Sequence, residues 1–414
     1  MDELKIMNMY MYEYRISNLV ITAGDEFEIR DGSVVYMYIH HDYRARRMPI
    51  VHMKVELDIP TIRAIYANRE TAKMKLEIHE YQYEADSDTP KIINTTLYMQ
   101  HTFSIIPAKD RDNYITSEDS TTVESLDEMK SLQIFEAYLI DMDAVNWFTQ
   151  EICAIFEDAP KPTAMQALFE LRSVPGNTLI ATPPQDNDEV RYTILPLGDL
   201  IGNLEVLNGR YGLYDVKPWI YYDLDKLYCI NWKKPNIILP SATDYGNITL
   251  LLLNLVSPDR QAVGSCNDAE TKTHYINIKE MPHINDYTNR INATRFATVQ
   301  SVDHDGNVDK TTLSDEDRTL RYIFAENAMT VDQMINENMQ GQNVQVQVPS
   351  TSVMFLKPYK NVAFKVGPQF YSLGLDDHEY RLAGWSLSIT REGEGAKGAN
   401  LCNVRLNLIS TEIE

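Results

Sequence analysis

Val51-His52-Met53-Lys54-Val55-Glu56-Leu57-Asp58-Ile59-Pro60 is the stretch on which the reading of this chain turns. Val51, Met53, Val55 and Leu57 alternate with His52, Lys54, Glu56 and Asp58. Successive side chains of a strand point to opposite faces, so strict alternation marks a strand with one face buried and one wet. Ala72, Met74, Leu76 and Ile78 repeat the pattern against Lys73, Lys75, Glu77 and His79. Between the two, Pro60-Thr61-Ile62-Arg63-Ala64-Ile65-Tyr66 reads as a short helix, with Pro in the first turn, where its missing N–H costs nothing. Outward from this core, Val34 to Tyr43 and Asn94 to Ile106 are rich in β-branched and aromatic residues and read as further strands. Residues 1–108 are therefore expected to form one antiparallel β domain carrying a short helix.

Residues 109–130 break the pattern. They hold seven acids (Asp110, Asp112, Glu118, Asp119, Glu124, Asp127 and Glu128) and few large apolar residues, the composition of an acidic linker or exposed loop. Residues 131–235 read as a mixed α/β module. Asp143 is expected to cap a helix in which Val145, Phe148, Ile152 and Ile155 fall at helical spacing. A second helix runs from Thr163 to Arg172, and a third from Gly198 to Tyr211, ending at Gly212. Strand-like pieces flank them: Leu132 to Ile140, and Trp219 to Tyr222 joined to Leu227 to Ile230 by the turn Asp223-Leu224-Asp225-Lys226.

The β pattern returns over 236–414. Its strands are Ile248 to Val256, His274 to Ile278, Val344 to Val348, Val362 to Val366, Tyr380 to Thr390 and Leu401 to Ile409. In the penultimate strand Leu382, Gly384, Ser386 and Ser388 make a small polar face opposite Ala383, Trp385, Leu387 and Ile389. Inserted loops over about 279–343 hold a hairpin, Phe296 to Val302 with Val308 to Thr312 across Asp305-Gly306, and a helix from Thr330 to Gln340. The expected fold class is mostly β with an α+β insertion.

Composition narrows the function. The 38 basic and 60 acidic residues give a net charge of −22. Wrapping a phosphate backbone needs clustered Lys and Arg, so this balance argues against nucleic-acid binding of that kind. It suits a self-repelling protein, or a surface that must not hold on to nucleic acid. The longest apolar run, Ile248 to Val256 with Asn254 inside it, falls short of the roughly 20 residues of a spanning helix. Met1-Asp2-Glu3 carries acid where a signal peptide carries base, so no membrane anchor is expected. Cys153, Cys229, Cys266 and Cys402 form no Cys-x-x-Cys pair, which points to a reducing site of synthesis. The 25 tyrosines sit mostly beside strands, and a minority would suit subunit interfaces.

No motif for catalysis or metal binding emerges. Asp303-His304-Asp305-Gly306-Asn307-Val308-Asp309 has oxygen ligands at alternate positions, but Gly falls at four and Ser314 at twelve, which is wrong for an EF-hand and right for a hairpin turn. His40-His41-Asp42 puts two imidazoles on opposite faces of a strand, where they cannot easily share one metal, and it and Asp376-Asp377-His378-Glu379 read as wet-face or turn residues. Gly264-Ser265-Cys266 is a turn tripeptide without the flanks of a nucleophile elbow. Gly393-Glu394-Gly395-Ala396-Lys397-Gly398 ends in no helix and so reads as a hairpin loop, with no phosphate cradle. Catalytic, cofactor-binding and metal sites are all expected to be absent. A glycoside hydrolase needs only two carboxylates, and among 60 acids no pair stands out.

Three stretches carry a resemblance. Val51 to Pro60, the short helix and Lys73 to Ile78 look like the strand–helix–strand of a tail-tube-type barrel. Leu204-x2-Leu207-x3-Tyr211-Gly212-Leu213-Tyr214, followed by Tyr221-Tyr222-Asp223-Leu224-Asp225-Lys226-Leu227-Tyr228, is similar to a helix–hairpin stretch of tail hub proteins. Lys360-Asn361-Val362-x-Phe364-x-Val366 with Tyr380-Arg381-Leu382 is like the closing strands of a second barrel. Together the chain resembles the baseplate (tail) hub proteins of contractile-tailed bacteriophages.

The resemblance implies two tail-tube-like antiparallel β-barrels flanking the mixed module, in a non-enzymatic, cofactor-free homotrimer. Three chains of two barrels would make a pseudo-six-fold ring adapting a six-fold tail tube to a three-fold central spike. Partners would be the tail tube, central spike, tape measure and baseplate wedge proteins, in a virion tail baseplate assembled in the host cytoplasm. DNA would pass an acidic channel without specific binding, with Glu56, Asp58 and Glu77 as candidate lumen-facing acids. Two alternatives stay open: another virion structural protein (baseplate wedge, connector or tube terminator), or a cell-wall or carbohydrate hydrolase.

Overall fold

The alternation at Val51–Leu57 is the burial pattern of the folded chain: Val51, Met53, Val55 and Leu57 are sealed in the core while the residues between them are half-exposed. The computed structural model describes residues 9–30, 32–44, 47–84, 91–109, 132–184, 189–190, 193–214, 216–237, 246–253, 264–278, 280–286, 298–302, 308–312, 342–349, 351–391 and 400–411. The N-terminal region forms β1 (Tyr10–Ala23), β2 (Asp25–Ile29), β3 (Val34–Asp42), β4 (Ile50–Asp58), α1 (Ile59–Ala67), β5 (Lys73–Glu84), β6 (Ile92–Pro107) and β7 (Leu132–Ile140). Asp58 starts α1 by accepting from the Thr61 N–H at 2.9 Å, with Pro60 in the first turn. Asn68 ends it, donating from Nδ2 to the Ala64 and Ala23 carbonyls and so tying the helix to β1.

One boundary moves. The sequence reading placed Leu132–Ile140 in the insertion, but β7 pairs with β4 along its whole length and with the end of β6. It belongs to the N-terminal sheet, because Phe135, Ala137 and Leu139 complete the buried face begun by Val51 to Leu57.

The insertion that follows contains α2 (Met142–Thr149), β8 (Ile152–Phe156), β9 (Ala159–Pro160), α3 (Lys161–Glu170), β10 (Leu179–Ala181), β11 (Glu189–Val190), β12 (Thr193–Gly198), α4 (Leu200–Tyr211), β13 (Trp219–Tyr222) and β14 (Leu227–Ile230). The first helix is shorter than its periodicity suggested and is capped by Asp141, not Asp143. Ile152–Phe156 is a strand because its β-branched residues pair with β12 across Ile155↔Ile194. The α4 boundaries hold to within two residues, with Asp199 as N-cap and Gly212 closing the helix at φ 56°. The β13–β14 hairpin forms across Asp223–Lys226 as expected. The insertion has its own core, built on Phe148, Leu168, Phe169, Leu200, Leu204 and Leu207.

The C-terminal region supplies β15 (Asn247–Leu252), β16 (Ser265–Asp268), β17 (Thr273–Asn277), β18 (His283–Asp286), β19 (Thr298–Val302), β20 (Val308–Thr312), β21 (Gln342–Pro349), β22 (Asn361–Val366), β23 (Tyr380–Arg391) and β24 (Asn400–Ser410). The expected hairpin is present as β19–β20. The acidic stretch, the 330–340 helix, the Asp303–Asn307 turn and the 393–398 loop lie outside the described residues. Ser265 and Cys266 are strand residues, not a turn. Pairing is antiparallel except that β15 runs parallel to both β17 and β22, and β10 to β14. Among the described residues no helix is long and apolar enough to cross a membrane.

The two β regions are joined edge to edge. The order β23-β22-β15-β17-β16-β1-β5-β6-β7-β4-β3 returns to β23, closing an 11-strand ring. β24 lines one edge of β23 throughout. The other edge meets β22 at Tyr380 and Arg381, then β3 from Gly384 to Thr390. A register shift between Leu382 and Gly384 marks the change of neighbour. With a strand on each edge, most of the expected polar face of β23 is enclosed, Ser386 included, and only Ser388 of that face is half-exposed. A single core cluster takes in both regions, from Met53 and Leu76 to Leu382 and Leu406.

A glycine stands at each of the two seams. A Cβ on Gly384 would lie 2.4 Å from the His41 carbonyl oxygen of β3, and one on Gly264, at φ +138°, 2.0 Å from the Tyr10 carbonyl oxygen of β1. Backbone cannot yield as a side-chain tip does, so either alanine forces a seam apart. Gly384→Ala and Gly264→Ala should each cost about 1–3 kcal/mol or more in urea denaturation. Gly176→Ala, where no atom lies within 4 Å, should change the midpoint little.

Candidate functional site

Residues 351–360 cross the inside of the ring, and Thr351, Ser352, Val353, Leu356 and Lys360 are buried there. The contacts come from β1, β5, β23 and the residue just past β3. Tyr14 of β1 shares its hydroxyl proton between Glu80 of β5 at 2.6 Å and the Thr351 carbonyl at 2.9 Å, and accepts from the Val353 N–H at 2.8 Å. Ser352 donates to Glu80 at 2.8 Å. Tyr43, just past β3, donates to the Leu356 carbonyl at 2.9 Å, and Trp385 Nε1 of β23 donates to Tyr43 Oη at 2.8 Å. Arg381 donates to the Trp232, Tyr359 and Lys233 carbonyls, binding the segment to the end of the insertion.

The insertion reaches the same place through its hairpin turn. Asp223 accepts from Lys357 Nζ at 2.6 Å. Burial alone would lower the Lys357 ammonium, but Asp223 and Asp225 outweigh it and hold the lysine charged. Burial also raises the Glu80 carboxyl, against the hydrogen bonds from Tyr14 and Ser352. His41 stacks on Trp385 with ring centroids 4.1 Å apart and shares a 2.9 Å hydrogen bond with the Tyr221 hydroxyl. It lies in the core, not on the wet face where the sequence reading put it, and burial, reinforced by Lys357 and His40, keeps it neutral.

Beside the ion pair is a cavity of about 140 Å³ lined by Tyr98, Met99, Gln100, His101, Asp223, Leu224, Asp225 and Lys357. At about 30 Å³ per water it has room for a few solvent molecules, well below the roughly 300–1,000 Å³ of a ligand pocket. Asp223 is engaged by Lys357, so this cavity offers neither the space nor a free carboxylate pair for glycoside cleavage.

The three candidate lumen acids are half-exposed, and each has local work. Glu56 takes a two-pronged ion pair from Arg391 at 2.8 and 3.0 Å, which with its hydrogen bonds holds the carboxyl below its usual range. Asp58 caps α1, and Glu77 accepts from Ser17 at 3.1 Å. Asp376 and Asp377 sit exposed in a single-turn helix, as a turn reading expects. Among the described residues no three His, Cys, Asp or Glu side chains converge as metal ligands would. Sequence reasoning missed Lys357, Tyr14 and Tyr43, since one lysine and two tyrosines carry no spacing signal. The outer face of β7 with the end of β6 exposes Leu132, Ile134, Tyr138 and Ile106, an apolar stripe on a wet surface.

Over residues 1–316 the sequence matches the family described as Bacteriophage PBS1 gene 109 protein. The chain belongs to that family. No curated protein is detectably similar to it in sequence. Among solved structures it is similar to the 43 kDa tail protein of prophage MuSo2 from Shewanella oneidensis, with TM-score 0.44, 11% identity, and 95% of this chain and 99% of that one covered. It is similar to the E. coli c3393 protein, a component of the type VI secretion system (TM-score 0.38, 9% identity, 96% and 76% covered). It is also similar to a chain of the lidded Francisella PdpA–VgrG complex (0.43, 8%, 98% and 53%). The family member thus spans about half the length of that last chain, and 65% of its counterpart in the lidless complex.

Two outcomes test the interior network. Lys357→Met leaves Asp223 buried and unpaired and should cost about 3–5 kcal/mol, while Lys357→Met with Asp223→Asn should recover most of it in a double-mutant cycle. His274, buried between Asn267 and Thr351, is lowered to about 3 by burial and by Lys360. It folds neutral, so the unfolded chain takes up its proton first, and stability is lost as pH falls below about 6.5 toward 3. In His274→Gln the stability-versus-pH slope between pH 6 and 4.5 should be shallower by about 1.4 kcal/mol per pH unit.

Proposed function

We propose that this phage protein is a non-enzymatic baseplate hub of a tail, assembled as a homotrimer in the virion. One observation carries the reading: two β regions on either side of an α+β insertion are fused through two seams into one rigid ring, in a member of a phage protein family. A protomer built this way offers two β surfaces at a fixed spacing, which suits an adaptor between a six-fold tube and a three-fold spike.

The packed interior adds a constraint on the channel. Residues 351–360 and the common core fill the ring of a single chain, so DNA would have to pass between copies. A net charge of −22 suits walls that repel phosphate. Glu56 spends its charge on Arg391 and Asp58 on a helix terminus, which leaves Glu77 as the stronger wall candidate of the three. The apolar stripe at Leu132, Ile134, Tyr138 and Ile106 suits burial against another tail component.

Native mass spectrometry or light scattering at two concentrations tests the assembly. The expected mass is three times the 47.6 kDa protomer. A monomer at both concentrations overturns the hub reading, and a six-copy ring would favour a wedge, connector or tube terminator.

A further inference from the structure

Strand β6 runs through Ile92-Ile93-Asn94-Thr95-Thr96-Leu97-Tyr98-Met99-Gln100-His101-Thr102-Phe103-Ser104-Ile105-Ile106-Pro107 without one Asp, Glu, Lys or Arg, in a chain that is 24% charged. One edge is filled by β5, from Tyr83↔Ile92 to Lys73↔Ser104, with register shifts that leave Ile93 and Tyr98 without an opposite residue. The other meets β7 only from Ser104 to Pro107. Around Tyr98 to His101 that second edge borders the cavity and the insertion turn. From Ile92 to Leu97 no strand among the described residues pairs with it, and Ile92, Ile93 and Leu97 are 44%, 47% and 44% exposed.

An open row of N–H and C=O groups is a template for another strand, and folded proteins blunt such edges with charge, Pro or bulges. The chain does this elsewhere: β2, whose one partner among the described residues is β1, carries Asp25, Glu26 and Glu28. On β6 irregularities fall at Ile93 and Tyr98, but neither charge nor Pro stands between them, and the β-branched residues Ile92, Ile93, Thr95 and Thr96 favour pairing.

We infer that the Ile92–Leu97 edge takes a strand from a second copy of this chain. Charge selects the occupant. Two copies at −22 repel over most of their surfaces, and they can approach in register only where the acids are missing. A basic partner would be drawn by acids, which this strand lacks. The inference rests on the hub reading, and in a closed three-fold ring β6 must meet a different edge of its neighbour, because self-pairing of one edge closes a dimer.

The test compares the full-length chain with Ile93→Glu/Leu97→Glu and with Ile93→Thr/Leu97→Thr, by light scattering and by hydrogen exchange. All substituted side chains are exposed, so the melting temperature should hold. The acidic pair should weaken self-association about 100-fold or more, through like charges placed in register. The threonine pair should assemble. In wild type the Ile92–Leu97 amides should exchange slowly in the oligomer and fast on dilution to monomer. An acidic variant that assembles as wild type does, or amides that exchange equally fast in both states, overturns the edge proposal and leaves the trimer standing. An acidic variant that still trimerises but no longer joins a tail partner also overturns it, by assigning the edge to that partner. A wild type that never leaves the monomer overturns the hub reading itself.

Discussion

Residues 351–360 place a run of peptide groups inside the ring, where most are shut away from solvent. Each group left without a partner would cost about 1–3 kcal/mol, comparable to a sizeable part of a domain's net stability. The hydrogen bonds are supplied by Tyr14, Tyr43, Trp385 and Arg381, side chains from both β regions. The Lys357–Asp223 pair adds the insertion to the same arrangement. The segment therefore fixes three parts of the chain relative to one another, and removing one partner exposes the desolvation cost of the others. Such a network is better at specifying one arrangement than at adding stability, since a well-packed apolar interior could be as stable.

The seams follow from the same closure. For β1 to meet β16, and for β23 to leave β22 and take up β3, backbones must approach more closely than a Cβ allows, and Gly264 and Gly384 provide that space. Two β regions that could have been separate domains become one body with a common core.

Much of the architecture was legible in the sequence. Alternation at Val51–Leu57 and Met74–Ile78 gave strands and their buried faces, because a half-buried strand writes its period into the residue order. Pro60 in the first turn of α1, and Gly212 after α4, marked helix ends through local geometry that needs no tertiary partner. The reading failed where a distant partner decided the outcome. Ile152 and Ile155 fit a helix by spacing and became a strand by pairing with β12. Leu132–Ile140 was recognised as a strand but assigned to the wrong neighbours, since nothing local says that its partners lie at Ile50–Asp58.

The sequence by itself thus determined the β, α+β, β order, the one-sided strands, the glycine stop of α4 and an acid-rich chemistry without catalytic motifs, all properties set within a few residues. Only the tertiary structure decided that the two β regions share one ring, that 351–360 fills it, that Lys357 is held charged there by Asp223, and that no strand among the described residues takes the Ile92–Leu97 edge of β6. Those features depend on pairings between residues hundreds of positions apart. Such pairings are chosen by the cost of unsatisfied backbone and unpaired charge in the whole fold, which no local stretch encodes.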